Sequence, residues 1–243
     1  MRRFRTHTLL LFCLAGLSLA SVGVAAEPAG AKLTYRRVFK SSSPELIEIV
    51  LREDSDAATY EIRQLDEEPG ASPFEVSAPL RAKMFDLAAQ LNYFRGLDLD
   101  VHRKIANLGE KTFRWSRGTE SHEVKFNYTL NNTANQLMQF FEGLARQQEN
   151  LAVLQRRMKY DRLGVNDALL QFESDLNRNL LPEPRRALPA LDQIASDSRF
   201  VDIARQRARN LAERIRHQSR DASLLHGDCP FCCTKTCQSD VAW

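Results

Sequence analysis

Residues 124–144 read VKFNYTLNNTANQLMQFFEGL, and the spacing of their apolar residues changes once along the stretch. From Val124 to Tyr128, large apolar or aromatic residues occupy every second position, which is the repeat of a strand with one buried face. From Thr133 onward the repeat lengthens to three and four residues, which is typical of an amphipathic helix. We therefore predict an α+β protein whose strands precede this point and whose helices largely follow it.

Five segments upstream of this change also show strand character. They are rich in β-branched and aromatic residues and are separated by turn-forming Ser, Pro, Asp and Gly. These segments are Leu33–Phe39, Leu46–Leu51, Ala58–Gln64, Phe74–Val76 and Thr112–Trp115. The last of them is expected to form a hairpin with Val124–Tyr128 around Gly118, in which Tyr128 shares one side of its strand with Phe126.

One helix is predicted between the strands. Ser77 can cap its start, because a serine hydroxyl accepts a hydrogen bond from an otherwise unpaired backbone N–H. Apolar residues then recur at spacings of three and four, at Leu80, Met84, Leu87, Leu91 and Phe94. We expect this helix to pack on the sheet.

A second, longer helix is predicted from about Asn132 to Lys159. Its apolar residues are spaced by seven, at Leu137, Leu144, Leu151 and Met158. This spacing suits a coiled coil, but it equally suits a long helix that packs within a helical domain. The packing interpretation is favoured, since Gln147 interrupts the second apolar seam and charged flanking pairs are sparse.

The remaining helices contain a faint internal repeat. Six positions between Leu151 and Phe172 recur 36 or 37 residues later, between Leu188 and Ala208. Each unit reads as a helix, a turn at an aspartate (Asp161 or Asp197) and a second helix, which resembles a HEAT-type repeat. The alternative is that two antiparallel helical hairpins resemble each other by chance.

The predicted architecture is therefore a small antiparallel sheet with a packed helix, followed by an all-helical region of HEAT-like hairpins. We place the sheet domain at residues 31–130 and the helical domain at residues 133–220. Residues 221–243 are expected to form a flexible, cysteine-rich tail.

Residues 1–26 have the pattern of a cleaved secretory signal peptide. Three arginines precede an apolar run from Leu9 to Leu19, and small residues end at Ala26. An uncleaved membrane anchor is the alternative, but Ser18, Ser21 and Gly23 interrupt the apolar stretch. We therefore expect a periplasmic or secreted protein with no membrane span in its mature form.

Removal of this segment changes the charge balance. Residues 1–26 hold three of the 34 Lys and Arg residues and none of the 31 Asp and Glu residues, so the mature chain is neutral. A general nucleic-acid binder needs surplus cations against the phosphates, and neither the balance nor the exported location supports one. A protein partner is expected instead, and the oligomeric state cannot be read from one chain.

Most of the mature chain resembles a group of exported bacterial proteins of unassigned function. The phrases that carry the resemblance are Tyr35–Ile49, Tyr60–Arg63, Ile105–Thr112, Val124–Thr129 and Asp161–Val165. The resemblance implies a sheet domain followed by helical hairpins, and it supplies no catalytic residues.

The search for catalytic patterns gives one group of residues to weigh. His122-Glu123 lacks the second histidine of a metalloprotease helix, and no serine has the flanking glycines of a nucleophile elbow. Asp98, Asp100, His102 and Glu110 could present acid groups to a metal or a sugar, which requires burial to separate their pKa values. A solvated loop explains the same residues and is favoured.

The last helix is rich in arginine. The candidates for binding a partner are Arg205, Arg209 and Arg216, on the face opposite Ala204, Ala208 and Leu211. That face could meet an acidic protein or anionic lipid headgroups. A solvated face with cations near a helix C-terminus is the favoured interpretation.

The tail holds every cysteine of the mature chain, at Cys229, Cys232, Cys233 and Cys237. In an oxidising compartment, four cysteines predict disulfides, with three possible pairings. Closely spaced thiolates could instead hold zinc, with His226 as a substitute ligand. Cys229-Pro-Phe-Cys232 also looks like a thioredoxin-type redox motif, but it lacks the preceding strand that such sites have.

The sequence thus favours an exported, non-enzymatic protein-interaction or structural module without a cofactor. Zinc at the cysteine tail would be the exception. The alternatives are a metal-binding or thiol–disulfide role for the tail, and a small hydrolase with scattered catalytic residues.

Overall fold

The computed structural model describes residues 30–226, with side chains described as far as Gln218. Six strands and five α-helices are formed in this part of the chain. The strands are β1 (Lys32–Val38), β2 (Leu46–Arg52), β3 (Ala57–Arg63), β4 (Ser72–Glu75), β5 (Glu110–Arg117) and β6 (Glu120–Phe126). The helices are α1 (Ala78–Gln90), α2 (Asn132–Tyr160), α3 (Val165–Asn177), α4 (Leu188–Ser196) and α5 (Asp202–His226).

The six strands form one antiparallel sheet in the order β4-β3-β2-β1-β5-β6. Each predicted strand overlaps an observed one. The predicted hairpin turns at Gly118, whose φ of 58° lies in the left-handed region that glycine adopts without strain. The predicted α+β class is confirmed.

The two faces of the sheet differ in polarity because side chains alternate along each strand. The inner face carries Leu33 and Tyr35 of β1, and Tyr35 lies in register with Phe113 of β5. The outer face carries ion pairs such as Arg36–Glu48, at 3.4 Å. Helices therefore cover one face only, as is common for antiparallel sheets.

Helix α1 begins as predicted and ends sooner. The Ser77 hydroxyl accepts a hydrogen bond from the Leu80 N–H at 3.4 Å. After α1 the chain takes positive φ values through Asn92–Phe94, so Phe94 lies outside the helix in which it was predicted. Its ring is nevertheless buried and stacks on Phe113, with the centroids 5.4 Å apart.

Helix α2 belongs to two hydrophobic cores. Its first half packs against the sheet and α1 through Ala134, Leu137, Phe141, Leu144 and Ala145. Its second half packs against α3, α4 and α5 through Leu151, Leu154 and Met158. The packing interpretation of the heptads is confirmed. The predicted boundary at residues 130–133 does not separate the cores, because the first core continues through Ala145.

The helical layer consists of two hairpins, α2 with α3 and α4 with α5. Each turns at an aspartate: Asp161 accepts from the Gly164 N–H at 3.1 Å, and Asp197 accepts from the Arg199 N–H at 2.9 Å. The two units thus share the predicted helix, turn and helix. Their relation to HEAT repeats stays a prediction.

Helices α3 and α5 lie side by side and run in the same direction. Near their starts, Arg207 donates to Asn166 at 3.2 Å, and further along, Arg214 donates to Asn177 at 2.5 Å. Residue numbers therefore rise together along both helices, so the two aspartate turns lie at the same end of the helical layer.

Helix α5 continues to His226 and so runs past residue 221, where the tail was predicted to start. The reason is visible in the sequence: residues 219–226 contain neither glycine nor proline, and the first glycine after them is Gly227.

A loop junction closes the open end of the β5–β6 hairpin. Lys111 is a buried lysine whose ammonium donates to three backbone carbonyls, those of Asn127 (2.8 Å), Leu108 (3.2 Å) and Gly109 (3.3 Å). The Asn127 side chain in turn accepts from the Leu108 N–H at 2.7 Å. Two of the sequence phrases that carry the resemblance, Ile105–Thr112 and Val124–Thr129, thus form one hydrogen-bonded unit.

Asp100 completes this junction and explains why Tyr128 was predicted wrongly. Strand β6 ends at Phe126, and Asp100 Oδ1 then accepts from the backbone N–H groups of Asn127 (2.9 Å) and Tyr128 (3.3 Å). Tyr128 therefore leaves the register of the strand, and its ring is exposed instead of sharing the buried side with Phe126.

We predict that Lys111→Met destabilises the fold by about 2 kcal/mol, because it leaves buried carbonyls without their charged donor. Burial lowers the pKa of Lys111, and the Glu142 carboxylate opposes this shift. The matched control is Lys125→Met, whose ammonium is exposed and lies 3.6 Å from Glu110. Urea denaturation should show a change of about 0.5 kcal/mol or less for the control. Equal effects of the two substitutions would contradict a stabilising role for the three hydrogen bonds of Lys111.

We also predict that the Asp197 turn makes the fold sensitive to acid. Hydrogen bonds from the Arg199 side chain and backbone lower the pKa of Asp197 from 3.8 to about 2. A carboxyl group with a lowered pKa contributes stability that is present above pH 4 and is lost as the pH falls towards 2. Asp197→Asn should therefore lower the melting temperature at pH 7, and the difference from the wild type should shrink towards pH 2.

The control for this series is Asp66→Asn, an exposed loop aspartate with no side-chain hydrogen bond in the part of the chain that the structure describes. It should leave the melting temperature nearly unchanged across the range. A difference between Asp197→Asn and wild type that stays constant from pH 7 to pH 2, measured by circular dichroism, would disprove the assignment.

Candidate functional site

A cleft of about 640 Å³ lies between the first turn of α1, the segment that links α3 to α4, and α5. Its apolar walls are formed by Pro79, Leu80, Pro182, Pro184 and Ile215. Its polar groups are those of Ser77, Glu183, Arg185, Arg186 and Gln218. We call this feature the seam cleft, because it lies where the sheet core meets the helical core. Its size is that of a typical ligand pocket.

Glu183 is the central polar group of the seam cleft. Its side chain is only 10% exposed, and Oε1 accepts from the Ser77 N–H at 2.9 Å. Its other oxygen, Oε2, is buried and has no hydrogen-bond donor among the described residues. The nearest cation is Arg186, with Nε at 3.8 Å, which is beyond hydrogen-bond distance. This oxygen is therefore an unsatisfied acceptor that solvent does not reach.

The position of Glu183 is fixed from both cores. Its backbone N–H donates to Gln147 Oε1 at 2.9 Å, and Gln147 is a buried residue of α2. Ser77, whose N–H donates to the Glu183 carboxylate, is the cap residue of α1. The carboxylate of Glu183 therefore lies at the positive end of that helix. Arg186 also pairs with Glu75 at 2.7 Å and so lies between two carboxylates at the rim. The site therefore combines an apolar wall with a fixed acceptor.

Helix α2 supports the cleft by a close approach at Gly143. A Cβ atom at this position would lie 2.8 Å from Pro182 Cγ and 2.9 Å from the Leu180 carbonyl oxygen. The helix backbone therefore packs directly on the segment that carries Glu183, and only glycine leaves room for that contact.

The arginines predicted to bind a partner are engaged within the chain. Arg205 pairs with Asp202, Arg209 donates to the Ala195 carbonyl at 3.3 Å, and Arg216 donates to both carboxylate oxygens of Asp192 at 2.6 and 2.7 Å. Elsewhere on α5, Arg207 and Arg214 share Glu173 of α3. Arg207, Arg209, Arg214 and Arg216 thus fasten α5 to α3 and α4, whereas Arg205 pairs within α5. None of the three candidates lines the seam cleft.

The loop residues Asp98, Asp100, His102 and Glu110 do not form a carboxylate pair. Asp98 and His102 make an exposed ion pair at 2.7 Å, which lowers the pKa of Asp98 and raises that of His102. Asp100 is committed to backbone N–H groups, and Glu110 lies 3.6 Å from Lys125. The solvated-loop interpretation is confirmed for Asp98 and His102.

The cysteine cluster, Cys229, Cys232, Cys233 and Cys237, lies outside the described residues. His226 ends α5, and its side chain is likewise outside the description. Within the described part of the chain, no three His, Cys, Asp or Glu side chains are grouped so as to hold a metal ion. The disulfide, zinc and redox interpretations of the tail stay predictions.

Sequence reasoning missed Glu183 and Gln147. The residues that meet here are far apart in the chain, so no local period indicates them. One signal was present, since Pro182-Glu183-Pro184 places an acid between two prolines, which hold the backbone of a linker in a fixed shape.

Comparisons with protein-family models and with curated proteins found no match to this chain. No helix among residues 30–226 is both long enough and apolar enough to cross a lipid bilayer.

We predict that Gly143→Ala destabilises the protein by about 1 kcal/mol. Alanine gains about 1 kcal/mol of helix propensity over glycine. Overlap of its Cβ with Pro182 costs about 2 kcal/mol, so the overlap wins. The control is Gly70→Ala, whose Cβ would meet nothing within 4 Å and which should stay within about 0.5 kcal/mol of the wild type. A Gly143→Ala protein more stable than wild type in urea would show that the approach is loose.

Proposed function

We propose that this chain is an exported, non-enzymatic protein-interaction module that binds a segment of a partner protein in the seam cleft. Export is supported by the sequence pattern of residues 1–26. Binding in the cleft is supported above all by Glu183, an acid held in place against apolar walls and beside the polar side chains of Arg185 and Gln218.

A peptide segment suits the chemistry of this cleft. Peptides offer apolar side chains for the proline and leucine walls, together with backbone N–H or lysine donors for Glu183. The proline-lined walls lose little conformational entropy when a ligand is bound, because their shape is already fixed. Arg185 at the rim adds a donor for carbonyl or carboxylate groups of the same segment.

The proposal is tested by selecting random peptides displayed on phage against the purified protein. The enriched peptides are then synthesised and their dissociation constants measured by fluorescence polarisation. We expect them to combine an apolar residue with a basic or N–H donor group, and we expect Glu183→Gln to weaken binding about tenfold. Glutamine keeps the shape and one acceptor for Ser77, but its NH₂ group cannot accept a hydrogen bond from the ligand.

The matched control is Glu213→Gln, an exposed glutamate of α5 that does not line the seam cleft. It should bind the peptides as the wild type does. Equal binding by Glu183→Gln, or no enrichment at all, would refute the proposed site. Mass spectrometry of the peptides after incubation with the protein distinguishes binding from the hydrolase alternative, because cleaved peptides would indicate an enzyme.

A further inference from the structure

The three most exposed large apolar side chains among the described residues of the helical layer, Tyr160, Leu163 and Ile203, lie at its two aspartate turns. Tyr160 ends α2 and is 73% exposed, and Leu163, in the same turn, is 78% exposed. Val201 and Ile203 are also exposed, and they lie at the second turn, where α5 begins. We call these four residues and the cations beside them, Lys159 and Arg162, the turn surface.

The two turns form one surface because the hairpins are stacked side by side. Helices α3 and α5 run in the same direction, so their starts lie at the same end of the layer. Arg162 of the first turn lies close enough to Asp197 of the second to contribute to the lowering of its pKa. The apolar groups of both turns therefore lie at the same end of the helical layer.

The charge of the turn surface is positive. Three of the aspartates here are paired with an arginine: Asp161 with Arg157, Asp197 with Arg199, and Asp202 with Arg205. Asp167, in the first turn of α3, is a further exposed carboxylate. Lys159 and Arg162 are exposed and have no carboxylate partner among the described side chains. Lys159 lies over the ring of Tyr160, with Nζ 4.9 Å from the centroid. Two unpaired cations thus flank the two most exposed apolar residues.

We propose that the turn surface docks the protein on an anionic phospholipid bilayer. Tyrosine and aliphatic side chains at loop tips enter the headgroup region of a membrane, and neighbouring lysine and arginine bind the lipid phosphates. The apolar side chains belong to two turns at the ends of helices. Each can therefore enter the headgroup region of the bilayer singly. This assignment is independent of the seam cleft.

The test is co-sedimentation with vesicles, using residues 27–243 so that the apolar segment before residue 27 does not contribute. Both hydrophobic cores lie within residues 31–215, so this chain contains all of them. We expect binding to vesicles of phosphatidylglycerol and phosphatidylcholine in equal parts. Binding to phosphatidylcholine alone should be much weaker, and added salt should reduce binding to the mixed vesicles.

Substitutions at the turn surface separate the apolar from the charged contribution. Leu163→Asp should lower vesicle binding at least about tenfold, since it removes an apolar side chain from the interface and adds a negative charge. Lys159→Glu with Arg162→Glu should abolish the preference for anionic lipid. The matched control is Leu130→Asp, a 61% exposed leucine just before the start of α2. That residue is roughly 40 Å from Tyr160 along the helix, so its substitution should leave binding unchanged.

Three results would overturn the proposal. These are no sedimentation of the wild type with anionic vesicles, equal binding by Leu163→Asp, or self-association without vesicles that Leu163→Asp abolishes. The last result would identify the turn surface as a contact between two copies of the chain. Circular dichroism verifies that each variant is folded. Glu183→Gln should bind vesicles as the wild type does, so a failure here is distinct from a failure of the seam cleft.

Discussion

The structure depends on one helix that serves two hydrophobic cores. Helix α2 packs with its first half on the sheet and with its second half on α3, α4 and α5. Neither core is complete without α2, because removing this helix would expose apolar side chains of both cores to water. Gly143 and Gln147, in the middle of the same helix, hold the segment that carries Glu183. The position of the cleft therefore follows from the position of α2.

The buried polar side chains of Gln147 and Glu183 reduce the stability of the fold. Gln147 is buried and satisfies its oxygen on the Glu183 N–H, but its own NH₂ nitrogen has no acceptor among the described residues. Glu183 has one satisfied oxygen and one without a donor. Apolar side chains here would be more stable in isolation, since unsatisfied buried polar atoms reduce stability.

Local patterns of the sequence predicted the elements, and contacts between distant residues decided the rest. The alternation in the strands and the heptads of α2 are local, so these elements were predicted closely. Asn127 and Glu183 act through partners far along the chain, and no spacing in the sequence indicates them. The arginines of α5 were predicted to form a solvated face, with partner binding as the alternative. In the structure Arg207 and Arg214 pair with an acid of α3, and Arg216 pairs with an acid of α4.

The length of α2 sets a distance between the two surfaces assigned here. The seam cleft is held at Gln147, and the helix ends in the turn at Tyr160. These residues are separated by roughly 20 Å along a rigid helix axis. A partner segment bound in the cleft would thus be held at a fixed height above a bilayer that the turns touch. In this respect α2 sets the spacing together with α5, which runs from Ile203 at the turn surface to Ile215 at the cleft.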